Sequence, residues 1–130
     1  FQECGGLKLD VRACELTYGI ERICMYLQGK ESVYDLEWAP NGITYGDIYK
    51  ASEIEYCTYN FEEADPAILF GFFDKIQDEG LRLLDKGLIL PAYDHCLRLS
   101  HLFNVLDARG AFSVSERGRY LLRCRTIAEE

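Results

Sequence analysis

From residue 62 to residue 130 the apolar residues return every three or four positions in three successive stretches, each with its own start and stop. That pattern admits little besides amphipathic helices packed on one another. The first stretch, "ADPAILFGFFDKIQDEGLRLLDKG", opens on Asp65 as an N-cap with Pro66 at the first helical position, and Gly87 ends it. Leu69, Phe72, Phe73, Ile76, Leu83 and Leu84 share one face. The second, "PAYDHCLRLSHLFNVLDARG", has Leu99, Leu102, Phe103 and Leu106 as its stripe and Gly110 as its stop. The third begins "SVSE", where Ser113 and Glu116 fit a capping box, and its stripe is Tyr120, Leu121, Cys124, Ile127 and Ala128. Short joints between them predict an antiparallel helical bundle over 62–130.

Two further segments precede the bundle. Residues 1–30 contain a "CGG" turn, a β-prone run "VRACELTY" over 11–18 that predicts a strand, and "GIERICMYLQ" that predicts a helix closed by Gly29. Ile20, Ile23, Cys24 and Leu27 keep the helical spacing. Residues 31–61 hold five tyrosines, one tryptophan and one phenylalanine around a "PNG" turn, and predict an aromatic, turn-rich connector. Packing against a neighbouring core explains such a stretch better than base stacking does.

Composition narrows the function classes. At 48% hydrophobic and 13% aromatic residues the chain can build a core. No run approaches the about 18 apolar residues of a membrane span and no signal-peptide pattern opens it, so a soluble protein is expected, with no membrane partner. The net charge of −8 argues against a general nucleic-acid coat. The charge is uneven: from Arg109 onward five arginines face three glutamates, a net of +2, which leaves −10 for the first 108 residues. Six cysteines form no CxxC, and His95 and His101 lie six apart, so zinc of the usual spacing is not expected. The cysteines read as reduced core residues of a cytosol-like compartment. The chain starts at Phe1 rather than Met and stops at Glu130 inside a helical pattern, so both ends are taken as cut points.

The junction "ELTYGIERICMYLQG" holds the chemistry. A helix N-terminus exposes N–H groups and a partial positive charge that suit phosphate. Arg22, three residues after Gly19, adds a planar cation able to fork to phosphate oxygens or stack on a base. Gly19 clears the approach of a flat ligand, Glu21 suits the helix dipole and could hold Arg22, and Glu15 offers a carboxylate for an ammonium group. A nucleotide plus an amine is one reading; a surface Glu-Arg pair on a capped helix is the other.

The stretch "ELTYGIERICMYLQGKESVYDLEW" resembles the third signature motif of class II aminoacyl-tRNA synthetases, in the form found in the α subunit of heterotetrameric, bacterial-type glycyl-tRNA synthetase. "FQECGGL" at 1–7, "ITYGDIY" at 43–49, "TYNFEEAD" at 58–65 and "LPAYDHCLRLSHLFNVLDARGAFSVSERGRYLLRCRT" at 90–126 resemble that subunit in the same order. The resemblance implies an α+β fold: over 1–30 the end of an antiparallel-sheet catalytic domain whose motif 3 is a strand running into a helix, then the connector over 31–61 and an all-α bundle over 62–130. It implies activation of glycine with ATP and Mg2+ to glycyl-adenylate and transfer to tRNA(Gly), in the cytoplasm or an organelle. Carried onto this chain, Arg22 would lie over the adenine and reach the γ-phosphate, Gly19 would admit the nucleotide, Glu15 would bind the glycine ammonium and Glu21 would support Arg22. Gln2, Thr17 and Gly5 would line the pocket. Implied partners are the β subunit, tRNA(Gly) and a second α subunit.

Two positions depart from the family pattern. Glu3 stands where a glutamine is usual, and Cys14 where a glycine commonly precedes the glutamate of motif 3. The family's first two motifs would lie upstream of Phe1, so these 130 residues alone are expected not to activate glycine. Arg109, Arg117, Arg119, Arg123 and Arg125 either form a docking surface for the β subunit or the tRNA acceptor end, or are ion-paired and solvated. The rival function is a non-catalytic helical module that docks such a partner.

Overall fold

The computed structural model of the chain describes residues 2–4 and 7–129. The chain divides into two compact units, Phe1–Tyr56 and Cys57–Glu130. Among the described residues no helix is long and apolar enough to cross a membrane.

The first unit opens with two short antiparallel strands, β1 (Glu3–Cys4) and β2 (Leu7–Lys8), with Glu3 opposite Lys8. Helix α1 (Ile20–Gln28) follows and ends at Gly29, whose φ of 63° lets its N–H turn back to the carbonyl of Tyr26. A single turn of 3-10 helix at Val33–Asp35, capped by the Ser32 side chain, leads to an isolated bridge between Glu37 and Thr44. The expected turn at Pro40-Asn41-Gly42 joins the two sides of that bridge, with Gly42 at φ 83° and its N–H on the carbonyl of Ala39.

Two expectations fail in this unit. Residues 12–19 carry no regular structure, so the strand expected over 11–18 does not form. A β-prone run becomes a strand only when a neighbour accepts and donates its backbone hydrogen bonds, and no ladder pairs with this one among the described residues. Val11, Leu16 and Tyr18 are each more than 70% exposed. The catalytic-domain sheet implied by the α+β reading is accordingly reduced here to β1 and β2 in a helical chain. The second failure is that much of the stretch read as turn-rich connector is helix α2 (Tyr45–Thr58). The missed signal is a capping box: Thr44 Oγ1 accepts from the Asp47 N–H at 3.1 Å, and the Asp47 carboxylate accepts from the Thr44 N–H at 2.8 Å.

The second unit is the expected bundle. A five-residue π-helical turn at Tyr59–Glu63 precedes α3 (Pro66–Asp85), α4 (Ile89–Ala108) and α5 (Val114–Glu129), and each of the three helices packs against the other two. Asp65 caps α3 by accepting from the Ala67 N–H at 2.8 Å, Gly87 and Gly110 adopt φ near +70° at the two joints, and Ser113 and Glu116 close the capping box on α5. Phe73, Leu99 and Leu106 are fully buried, each worth about 1.5–3 kcal/mol on folding. Phe72, Leu121 and Ala128, expected on the stripes, are exposed instead. They lie at the stripe margins, where the neighbouring helix decides what is covered. Cys96 and Cys124 are buried, with the Cys96 thiol directed at the Cys124 carbonyl at 3.6 Å.

Candidate active site

Helix α1 begins without a side-chain cap. Gly19 has φ −76° and ψ 88°, and its carbonyl accepts the first helical bond, from Ile23, at 3.1 Å. The N–H groups of the first turn are therefore left to solvent or a ligand. The aliphatic part of Arg22 folds back along Gly19: a Cβ built there would lie 3.6 Å from Arg22 Cδ. That is ordinary contact distance at a negative φ, so the backbone at this point does not demand glycine. The Arg22 side chain is exposed and makes no ion pair or hydrogen bond to the described residues, which leaves its five N–H donors for something else.

Glu15 and Thr17 sit together in the extended segment before the helix, Thr17 Oγ1 donating to Glu15 Oε1. The hydroxyl thus fixes one carboxylate oxygen and leaves the other open. Gln2 is exposed, and its carbonyl accepts from the Leu9 N–H at 2.9 Å, which ties it to the β1–β2 hairpin. Gly5 lies outside the described residues. The structure thus brings Gly19 to Arg22 and Glu15 to Thr17, and no hydrogen bond or ion pair joins these pairs or brings Gln2 to them among the described residues. Glu21 does not reach Arg22, because successive residues on a helix point about 100° apart. Glu21 instead lines, with Cys24, Gln28 and Tyr45, a pocket of about 480 Å³. Burial, followed by the Glu21 charge, raises the Tyr45 phenol above its usual pKa.

The arginines of the second unit are largely committed. Arg109 donates to the carbonyl oxygens of Ala64 (3.0 Å) and Phe61 (2.6 Å), clasping the end of the π-helical turn. Arg117 is bidentate to Asp107 and lies over the Phe103 ring. Arg123 donates to Gln77 and Asp74 while its guanidinium lies 4.7 Å from both the Phe73 and Tyr120 ring centroids. Arg119 reaches Glu116 only at 3.9 Å, and Arg125 pairs with Glu129 at 3.3 Å. His95 contacts the Pro91 carbonyl through Nδ1 at 2.8 Å, and His101 is exposed. No group of three metal-ligating side chains occurs among the described residues.

A glycine-fronted helix end with an uncommitted arginine is still a common object. The family model of the glycyl-tRNA synthetase alpha subunit matches residues 1–130, the whole chain. The chain belongs to the glycyl-tRNA synthetase alpha subunit family. It is similar to the glycine–tRNA ligase alpha subunit of Coprothermobacter proteolyticus, 54% identical over 128 residues, which is 98% of this chain and 44% of that protein. The chain therefore spans less than half the length of the curated relative it matches. Within this alpha-subunit family member, two features escaped the sequence reading. One is the clamp between Gln28 and residue 37, where the Gln28 amide accepts from the Glu37 N–H at 2.8 Å and donates to its carbonyl at 3.2 Å. The other is the Arg109 clasp. Neither has a local pattern, since each joins residues through a turn or a tertiary contact; the i, i+4 spacing of Tyr45 and Tyr49 was the available hint of the aromatic cluster.

Proposed function

We propose that the chain is part of the α subunit of a glycine–tRNA ligase, which activates glycine with Mg2+-bound ATP and transfers it to tRNA(Gly). The observation that carries this is family membership over all 130 residues, combined with the uncapped, open start of α1 at Gly19 and the uncommitted Arg22 beside it. Arg22 is the cation for the triphosphate and the adenine, with Gly19 leaving room for the nucleotide. Glu15, held by Thr17, receives the glycine ammonium, and Gln2 lines the pocket. Attack of the glycine carboxylate on the α-phosphate needs positioning and charge neutralisation and no protein nucleophile. Glu21 shapes the helix start through the dipole and has no direct hold on Arg22.

The segment before α1 belongs, in this reading, to a larger catalytic sheet completed by the rest of the subunit, which covers the exposed Val11, Leu16, Tyr18 and Leu27. The subunit pairs with a second α subunit and with β subunits in a cytoplasmic or organellar compartment. The alternative, a non-catalytic docking module, draws on the outward stripe of Leu90, Tyr93 and Leu97 on α4, each more than half exposed. Docking through Arg119 and the exposed edge of Arg117 fits either reading. Glycine-dependent exchange of pyrophosphate into ATP separates them. A subunit extended to the length of its relative exchanges and the 130-residue chain alone does not; no exchange by the extended subunit, with β present, contradicts the proposal.

A further inference from the structure

We infer that the pocket between α1 and the aromatic cluster of the first unit binds a planar organic cation, an amidinium or guanidinium carried on a small apolar body. The pocket of about 480 Å³ lies within the usual size range of small-molecule sites. Its apolar wall is built from Trp38, Tyr45 and Tyr49 around Leu36, the buried hydrophobic residue of this unit among those described. Trp38 meets Tyr45 and Tyr49 edge-on at 5.9 Å and 5.6 Å, so the rings brace one another along this wall. Aromatic faces attract cations through their quadrupoles.

The charge in the pocket has the same sign preference. Glu21 and Glu37 line it, and neither carboxylate has an ion-pair partner among the described residues. The Gln28 amide, the other polar group there, is occupied on both sides by the backbone of residue 37. The Tyr45 hydroxyl stays protonated, since burial and Glu21 both oppose its ionisation. Lys50, the nearby cation, lies 5.4 Å over the Tyr34 ring and is not part of the lining. What the pocket offers a ligand is thus three aromatic side chains and two carboxylates without ion-pair partners among the described residues. A compact ammonium is strongly hydrated, whereas a planar delocalised cation can stack on a ring and fork to a carboxylate at once. Arg22 is absent from the lining, so this site does not rest on the nucleotide reading of α1.

Trp38 is the one tryptophan of the chain, so its indole N–H gives a single resolved resonance from the wall of this pocket. The probe is benzamidine, with benzamide as its neutral isostere, titrated into the 15N-labelled 130-residue chain. Saturable movement of the indole resonance with benzamidine and none with benzamide is the expected result. Glu21→Gln and Glu37→Gln should each weaken binding by about threefold to fivefold, as for a solvent-accessible charge pair. Cys24→Leu, which fills the cavity from the lining, should abolish it. Equal responses to benzamidine and benzamide would overturn the proposal, because the pocket would then read apolar area and not charge. No response to either would overturn it as well. Both decisive comparisons use the unsubstituted chain, so they stand even if a variant misfolds.

Discussion

At the scale of single residues, arginine serves two purposes in this chain, and the partners distinguish them. Arg109 spends its donors on the carbonyls of Phe61 and Ala64, and Ala64 is completely buried. Arg109→Ala leaves a buried carbonyl unsatisfied and should cost about 1–3 kcal/mol in chemical denaturation of the chain. Arg22→Ala should leave the same denaturation midpoint within about 0.5 kcal/mol, because Arg22 is exposed and has no intramolecular partner among the described residues. Gly19 makes a complementary case. Its φ is negative and a Cβ there meets only Arg22 at ordinary contact distance, so Gly19→Ala should fold normally. If it nonetheless lowers glycine-dependent turnover in the extended subunit, the glycine is there for the ligand; unchanged turnover would remove it from the site.

At the scale of elements, the bundle was legible because each helix announces itself locally. Asp65-Pro66, the glycines at 87 and 110 and the Ser113/Glu116 pair act within a few residues of themselves, and the structure uses them as expected. Helix α2 was missed because its Thr44/Asp47 box lies among tyrosines and a glycine, whose strand and turn preferences point the other way. The strand expected over 11–18 was misread for the opposite reason: strand propensity is local but the ladder is not. Of the candidate site, the Gly19–Arg22 juxtaposition could be read from spacing, whereas the outward turn of Glu21 toward Tyr45 depends on residues more than twenty positions away. Packing inside the bundle was partly hidden too: Ala92 and Val105 are buried on α4 outside the expected stripe, whereas Leu99 was expected on it. Leu99 is fully buried at the centre of α4, and Leu99→Ala should destabilise the second unit by about 2–5 kcal/mol in thermal or urea unfolding. A loss under about 1 kcal/mol would mean that α4 does not hold the core.

At the scale of the whole molecule, titration separates the exposed capping box from the buried thiols. Hydrogen bonds from the Ser113 side chain and backbone hold the Glu116 carboxyl below its usual pKa of 4.5. Its contribution to stability is present above 4.5 and is lost as pH falls through the lower folded value, so Glu116→Gln should flatten the acid limb of the stability curve. Burial, chiefly, pushes the Cys124 thiol up from 9.0 to about 11. That contribution is complete below pH 9.0 and disappears as pH rises toward 11, so an alkaline limb between those values should vanish in Cys124→Ala. At neutral pH, maleimide should label the exposed Cys14 well before Cys96 or Cys124. These tests address the fold, whereas the nucleotide-binding role proposed for the open start of α1 is a matter of catalysis. Its most direct measurement is glycine-dependent exchange of pyrophosphate into ATP by the extended subunit, with and without Arg22→Ala. Arg22→Ala is expected to lower exchange by at least about tenfold at unchanged stability; exchange undiminished by the substitution would remove Arg22 from the nucleotide site.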